Sequence, residues 1–466
     1  MKATAATAER RAGGGRRGPS ASSQPGRRLA IEAAVIAGLI GLGIFLVWEF
    51  GVQRIHNPRP VGGANVDVSR APGVQSQAAV AVDPSDPRLL LEAANDDTVS
   101  VSTDGGRTWS RSAGPSTAIG ACPHRSPHVA VDGAGREYIA FLAGKLCDDD
   151  LTSYVVVAER DSPAGRWHLS RVTHPLWSYG YDDGPSLAVT AGGTVYVAFQ
   201  RSFSESRSST VLSRSDDHGR TWSEPVAISR ALVRPHLATV AAARRDVYVG
   251  GIDARHGIWV ARSSDGGRTF GEPRAVSRLA QNPAGSCSLA STSPVPREEQ
   301  RCLGPDPAVV VHGDRVLVVW GDGGANGAGD VFAALLDRGL RPLGHVQVNP
   351  PDSRGASRQF TPAAAVDAGT GVWWACWYDT VYGGGNHAWF TCSASRNGRR
   401  WAAPERAASA ASDPGALLGD GASYGFYPGL AAGGGVAHPV WIDTRRIELL
   451  EEVYTAALPE RAALGR

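Results

Sequence analysis

The sequence is short of several things. Of its 466 residues only Lys2 and Lys145 are lysine, and Met1 is the sole methionine. Arginine therefore carries nearly all the positive charge, which, beside abundant Ala and Gly, reads as the codon usage of a GC-rich bacterium. Net charge is almost absent too: 47 Lys and Arg against 45 Asp and Glu leave +2. A dedicated nucleic-acid binder concentrates basic surface, and this composition argues against that class. The six cysteines include no CxxC pair, so the usual zinc and dithiol-redox spacings are missing. No helical periodicity organises the chain beyond residue 50. Charged residues are only 20% while hydrophobic residues reach 42%. That balance allows a real core and excludes wholesale disorder.

One long apolar run is present. Residues 1–28 are mostly Ala, Gly, Ser and Pro with Arg10, Arg11, Arg16, Arg17, Arg27 and Arg28, a composition that predicts a disordered basic tail. Next comes "LAIEAAVIAGLIGLGIFLVWEF", uncharged from Ala33 to Trp48. About 20 residues at 1.5 Å each span roughly 30 Å, one hydrocarbon core. Residues 29–50 are therefore expected to form a transmembrane signal anchor. Arginines before it predict a cytoplasmic N-terminus, a single pass of the cell membrane and an extracytoplasmic remainder. The rival, a cleaved signal peptide, wants an Ala-x-Ala-like site after Trp48, where the chain instead reads "EFGVQRIHNPRP". Residues 51–63 read as a linker.

The cysteines fall into three local pairs, Cys122 with Cys147, Cys287 with Cys302, and Cys376 with Cys392. The last two flank "VYGGGN" symmetrically about Gly384, so they face each other if that run turns a hairpin. Disulfides at all three pairs suit an oxidising compartment.

Two patterns repeat. "STDGGRTWS" (102–110), "SDDHGRTWS" (215–223) and "SSDGGRTF" (263–270) share Ser-x-Asp-x-Gly-x-Thr-aromatic. In each, an acid (Asp104, Asp217, Asp265) accepts hydrogen bonds from the N–H groups ahead of it. A glycine (Gly106, Gly219, Gly267) permits positive φ, and an aromatic (Trp109, Trp222, Phe270) covers the turn. "SASRNGRRW" reads as a worn fourth copy with Arg396 at the acidic position. The second pattern is a short apolar run, usually opened by Pro: "QAAVAV" at 77, "PHVAV" at 127, "PSLAV" at 185, "PHLATV" at 235, "PAVVV" at 307, "PAAAV" at 362 and "PGLAA" at 428. Intervals of 50 to 72 residues, each filled by strand-sized pieces, predict propeller blades of four antiparallel strands, A to D. The seventh repeat ends with "EVYTAAL" and lacks a D strand, which "ANVDVS" at 64–69 can supply. The expectation is an all-β propeller of seven blades, with six as the alternative, over residues 64–457. Residues 458–466 are expected as a C-terminal tail.

The repeated turn resembles the Asp-box, or bacterial neuraminidase repeat, of the sialidase-like propellers. The resemblance spans residues 64–457 and implies a structural role for the boxes, with the functional rim formed by the opposite B–C and D–A loops. Sialidases hold a carboxylate with three arginines and use a Tyr–Glu nucleophile pair with an Asp acid/base. Two of the arginine places read Gln75-Ser76-Gln77 and Asn95-Asp96-Asp97 here, a departure that counts against sialic-acid hydrolysis. On the rim the resemblance and the loop sequences single out Asp183, Glu298 and Tyr427 as catalytic candidates. Arg234, Asp306, Trp177, Tyr179 and Tyr424 are the ligand-binding candidates. Asp96, Asp253, Asp322, Asp379 and Asp443 each follow strand B and read as blade architecture. His128 and His236 occupy matching places and read as packed residues. No metal and no cofactor is expected. The expected partner is a carbohydrate or a surface protein, besides the membrane. The functional expectation is a rim that binds such ligands; the alternatives are an active exo-glycosidase of exo-α-sialidase type and a cell-surface interaction scaffold.

Overall fold

Short apolar runs separated by Gly- and Asp-bearing turns build seven antiparallel sheets in the computed structural model. It describes residues 65–70, 73–75, 77–95, 98–112, 114–115, 125–144, 153–174, 181–204, 207–228, 236–253, 257–279, 307–322, 329–351, 357–381, 387–413, 424, 427–446 and 450–465. All of them belong to one compact unit, Pro58–Arg466. The expected tail and anchor at 1–50 lie outside the described residues. No described helix is long and apolar enough to cross a membrane.

Blade 1 runs Ala78–Val82, Leu90–Ala94, Val99–Ser102 and Ser110–Ser112 as strands A to D. Blade 2 runs Arg125–Val131, Glu137–Gly144, Ser153–Arg160 and His168–Arg171. Blade 3 has the longest strands, Tyr181–Val189, Val195–Ser204 and Arg207–Ser215, before a short D strand at Val226–Ala227. Blades 4, 5 and 6 start their A strands at His236, Ala308 and Gln359. Blade 7 has Gly429–Gly433, Val436–Asp443 and Leu450–Thr455 from the C-terminal end, and its outer strand is Val66–Asp67. Val66 pairs with Thr455 and Asp67 with Tyr454, so the N-terminal strand closes the ring as the sequence predicted. The count is seven, and the six-blade alternative falls.

The A strands stand around the axis, each packed on the next, and that of blade 7 on that of blade 1. Side chains of one strand also satisfy the backbone of the next. Ser186 Oγ accepts from Val240 N–H at 3.1 Å, and Thr239 Oγ1 from Val309 N–H at 3.5 Å. Gln77 Oε1 accepts from Ser126 N–H, and Ala78 N–H donates to the Tyr427 carbonyl at 3.3 Å. Between blades, alternate residues of strands B and C form the core. Trp374 faces one neighbour while Trp373 and Trp377 face the other, which is why this strand is aromatic on both sides.

The repeated Ser-x-Asp-x-Gly-x-Thr stretches sit on C–D turns. Asp104 Oδ1 accepts from Arg107 and Thr108 N–H at 3.0 and 2.9 Å, and Oδ2 from Thr108 Oγ1 at 2.7 Å. Ser102 Oγ accepts from Gly106 N–H at 2.9 Å, with Gly106 at φ +80°. Asp217 and Asp265 repeat this pattern. Gly105 N–H donates to Arg88 in the A–B turn, so the boxes lie on the A–B face, away from the ends where the A strands begin. In the fourth copy, Asn397 rather than Arg396 takes the acid's place. Its Oδ1 accepts from Arg399 and Arg400 N–H, both at 2.9 Å, and the turn is one residue shorter than the others.

Cys376 and Cys392 are cross-strand partners joined by a disulfide, with Cα atoms 4.0 Å apart. The other two cysteine pairs lie outside the described residues. Of the expected tail, residues 458–465 fold back on blade 7. Leu458–Pro459 pairs with Val436 and Ala437 of blade 7, and the turn of helix Glu460–Ala463 buries Ala463 in the core. The apolar Leu458 and Ala463 supply the reason: both gain burial by folding back.

Candidate functional site

The first halves of the seven A strands enclose a cavity of about 250 Å³ on the axis. A break in strand register shapes its wall. The pairing of strands A and B shifts between Arg125 and His128, Asp183 and Ser186, His236 and Thr239, and Phe360 and Ala363. At three of these bulges the residue before a proline is left-handed: Ser126 at φ +53°, Gly184 at +55° and Thr361 at +44°. Proline pushes its predecessor toward extended backbone, so Ser126 and Thr361 hold strained conformations that the surrounding sheet enforces. Each bulge sets one extra residue of strand A against strand B.

The polar wall residues are few: Ser126, His128, Asp183, Ser186, Gln200, Thr239 and Tyr427. Asp183 Oδ1 accepts from Gly184 N–H at 2.8 Å, which fixes it at the bulge. Tyr427 is held through its backbone, bridged to Gln77 of blade 1. Gln200, inside strand B of blade 3, stands directly across the pairing from Asp183. Among the described wall residues there is one carboxylate and no arginine or lysine.

Two described arginines at the ends of strand A or B, Arg201 and Arg445, are committed to buried acids. Arg201 clamps buried Asp182 through Nε and Nη2 at 2.8 and 3.1 Å. Arg445 grips buried Asp443 in the same way, at 2.9 and 2.6 Å. Asp443 also accepts from Trp441 Nε1 at 2.9 Å, and Asp379 from Val381 N–H at 2.8 Å and Trp377 Nε1 at 3.3 Å. A Trp-x-Asp spacing thus fixes the ends of strand B in blades 6 and 7, the architectural role expected of these acids. Arg358 lies half-buried on this side, where burial lowers its pKa.

Of the sequence candidates, Asp183 and Tyr427 share the cavity. Tyr424 does not: it is 4% exposed, with its ring against Phe360 and Tyr378 at 5.0 and 5.2 Å between centroids. An aromatic in a loop buries itself when a neighbouring blade offers two more rings. Glu298, Arg234, Asp306, Trp177 and Tyr179 lie outside the described residues. Sequence reading passed over Ser126 and Thr239, whose only signal is their place at the proline-led runs, and Gln200, which ends the apolar run of strand B. It also passed over Phe203, 42% exposed at the B–C end of blade 3. Gln77 spends its side chain on the Ser126 backbone.

No family model and no curated protein matches the chain. Solved structures with a similar backbone include the Hadza microbial sialidase Hz136, at 15% identity over 79% of this chain and 73% of that one, with a TM-score of 0.45. The α-L-arabinofuranosidase Arb93A from Fusarium graminearum is 12% identical over 87% of this chain and all of its own, with a TM-score of 0.49. A Trypanosoma rangeli sialidase is 10% identical, with a TM-score of 0.45 over 84% of this chain; the match spans 59% of that protein. The blade count above is read from strand pairing alone.

Proposed function

We propose that this propeller binds uncharged carbohydrate end groups in its axial cavity and displays them outside the cytoplasm on the N-terminal anchor. The observation that carries this reading is the chemistry of the described wall. Ser126, Thr239, Gln200 and Tyr427 offer neutral donors and acceptors beside the single carboxylate of Asp183. Hydroxyl-rich ligands match that set, since sugar hydroxyls donate and accept at once. A carboxylated sugar asks instead for guanidinium partners. Phe203 at the rim adds an apolar ring for the face of a sugar.

Binding is favoured over hydrolysis because glycosidases work with a pair of carboxyl groups, and the described wall presents one. A second reading, an exo-glycosidase, draws on Asp183 and Tyr427 sharing the cavity; it needs a further acid such as Glu298.

The test is a glycan array probed with full-length protein, carrying neutral and sialylated glycans side by side. Neutral glycans should bind, and Asp183→Asn or Tyr427→Phe should weaken them about tenfold. Binding restricted to sialylated glycans, or binding untouched by both substitutions, overturns the reading.

A further inference from the structure

His128 is the wall residue whose chemistry is least used. It follows the Ser126–Pro127 bulge on strand A of blade 2, pairs with Ala140 and lines the cavity. Its Nδ1 is shielded from solvent and meets no hydrogen-bond partner. Among the described residues no carboxylate or other protein group bonds either ring nitrogen. A neutral imidazole has one N–H donor and one bare acceptor. Orphaned buried N–H groups are rarer than under-satisfied acceptors, so the proton belongs on Nε2 and the bare lone pair on the buried Nδ1. Burial alone keeps the ring uncharged, with its pKa lowered to about 4.

We infer that His128 is a specificity residue of the axial cavity: its Nε2–H is a fixed donor that reads an oxygen acceptor of a neutral sugar. This rests on the carbohydrate reading above and deepens it. A ring that carries its proton on Nε2 selects for an acceptor at that point of the ligand. Of the other neutral wall groups, Ser126, Ser186, Thr239 and Tyr427 are hydroxyls that rotate to suit either role, and Gln200 carries one donor end and one acceptor end. Asp183, when ionised, accepts only, so the donor of His128 and the acceptor of Asp183 give the cavity a direction.

The experiment is long-range proton–nitrogen NMR on full-length protein with labelled histidine, the His128 signals being assigned by their loss in His128→Gln. The free protein should show a bare Nδ1 and a protonated Nε2; the reverse tautomer overturns the inference. Methyl α-D-galactopyranoside, methyl β-D-galactopyranoside and methyl α-L-arabinofuranoside are then added as probes. A probe that binds should move the Nε2–H proton downfield. His128→Phe should weaken it about tenfold, and His128→Gln, which keeps an N–H donor, about threefold or less. A probe that binds His128→Phe as tightly as the parent defeats the role of His128 while sparing the carbohydrate reading. Failure of all three probes, with a silent glycan array, defeats both.

Discussion

Gly106 of blade 1 rests on His438 of blade 7: a Cβ at position 106 would stand 3.2 Å from His438 Nδ1. The same relation recurs around the ring. Gly219 of blade 3 packs near Tyr138 of blade 2, and Gly267 of blade 4 on Tyr196 of blade 3. Each of these three turns thus docks on the second or third residue of strand B in the blade before it. The box is an inter-blade joint as well as a turn.

Substitutions at neighbouring glycines separate those two roles. Gly105 and Gly106 have similar φ, +75° and +80°, but only Gly106 has a neighbour within reach of a Cβ. Gly105→Ala should cost about 1 kcal/mol from backbone strain alone, and Gly106→Ala about 2–3 kcal/mol. Chemical denaturation of both variants checks this; equal costs would remove the joint.

His438 is buried with Nδ1 unpaired, and burial lowers its pKa to about 4. The unfolded chain takes up this proton near pH 6.5, the folded chain only near 4. Stability should therefore fall as pH drops through that window, by about 2–3 kcal/mol. His438→Phe should flatten the acid limb of a melting-temperature profile, leaving the share that His128 contributes.

Glu452 acts in the opposite direction. Its side chain is 1% exposed at the ring closure, with Arg446 Nη1 at 4.0 Å. Burial first, and then the carboxylate of Asp67 on the closing strand, raise its pKa to about 7, with Asp443 adding to the effect and Arg446 opposing it. The folded chain holds this proton to higher pH than the unfolded chain, so stability is lost as pH rises from about 4.5 to 7. Glu452→Gln should raise the melting temperature at pH 8 and change little at pH 4. A parallel shift at both pH values would contradict the assignment.

Asp217 shows what the box acid itself contributes. Burial works to raise its pKa, but hydrogen bonds from Thr221 and Ser215 and the backbone N–H groups outweigh it and hold the value at about 2. Asp217→Ala should lower stability by about 1–2 kcal/mol and leave glycan binding unchanged, because the turn lies away from the cavity. Calorimetry and the glycan array read the two halves separately.

Much of this architecture was legible in the residues. The box spacing fixed the C–D turns, the apolar period fixed the A strands, and the orphaned seventh repeat pointed to Val66–Asp67. The wall was less legible. Ser126 and Thr361 are left-handed before a proline, against their local preference, and only the bulged sheet imposes that. Tyr424 looked like a loop aromatic because nothing in "SYGFYPG" announces the two rings that bury it. Asn397 hid behind a turn one residue shorter than the others, which moved the apparent acidic position to Arg396.

The central claim is that the axial cavity, and not the box face, takes up a neutral sugar. Photo-crosslinking with a diazirine-bearing neutral methyl glycoside, followed by peptide mapping, tests it most directly. Labels should fall within residues 126–129, 183–186 and 427–430 and vanish under excess unmodified glycoside. Competed labels on residues 104–109, 217–222 or 265–270 would contradict it.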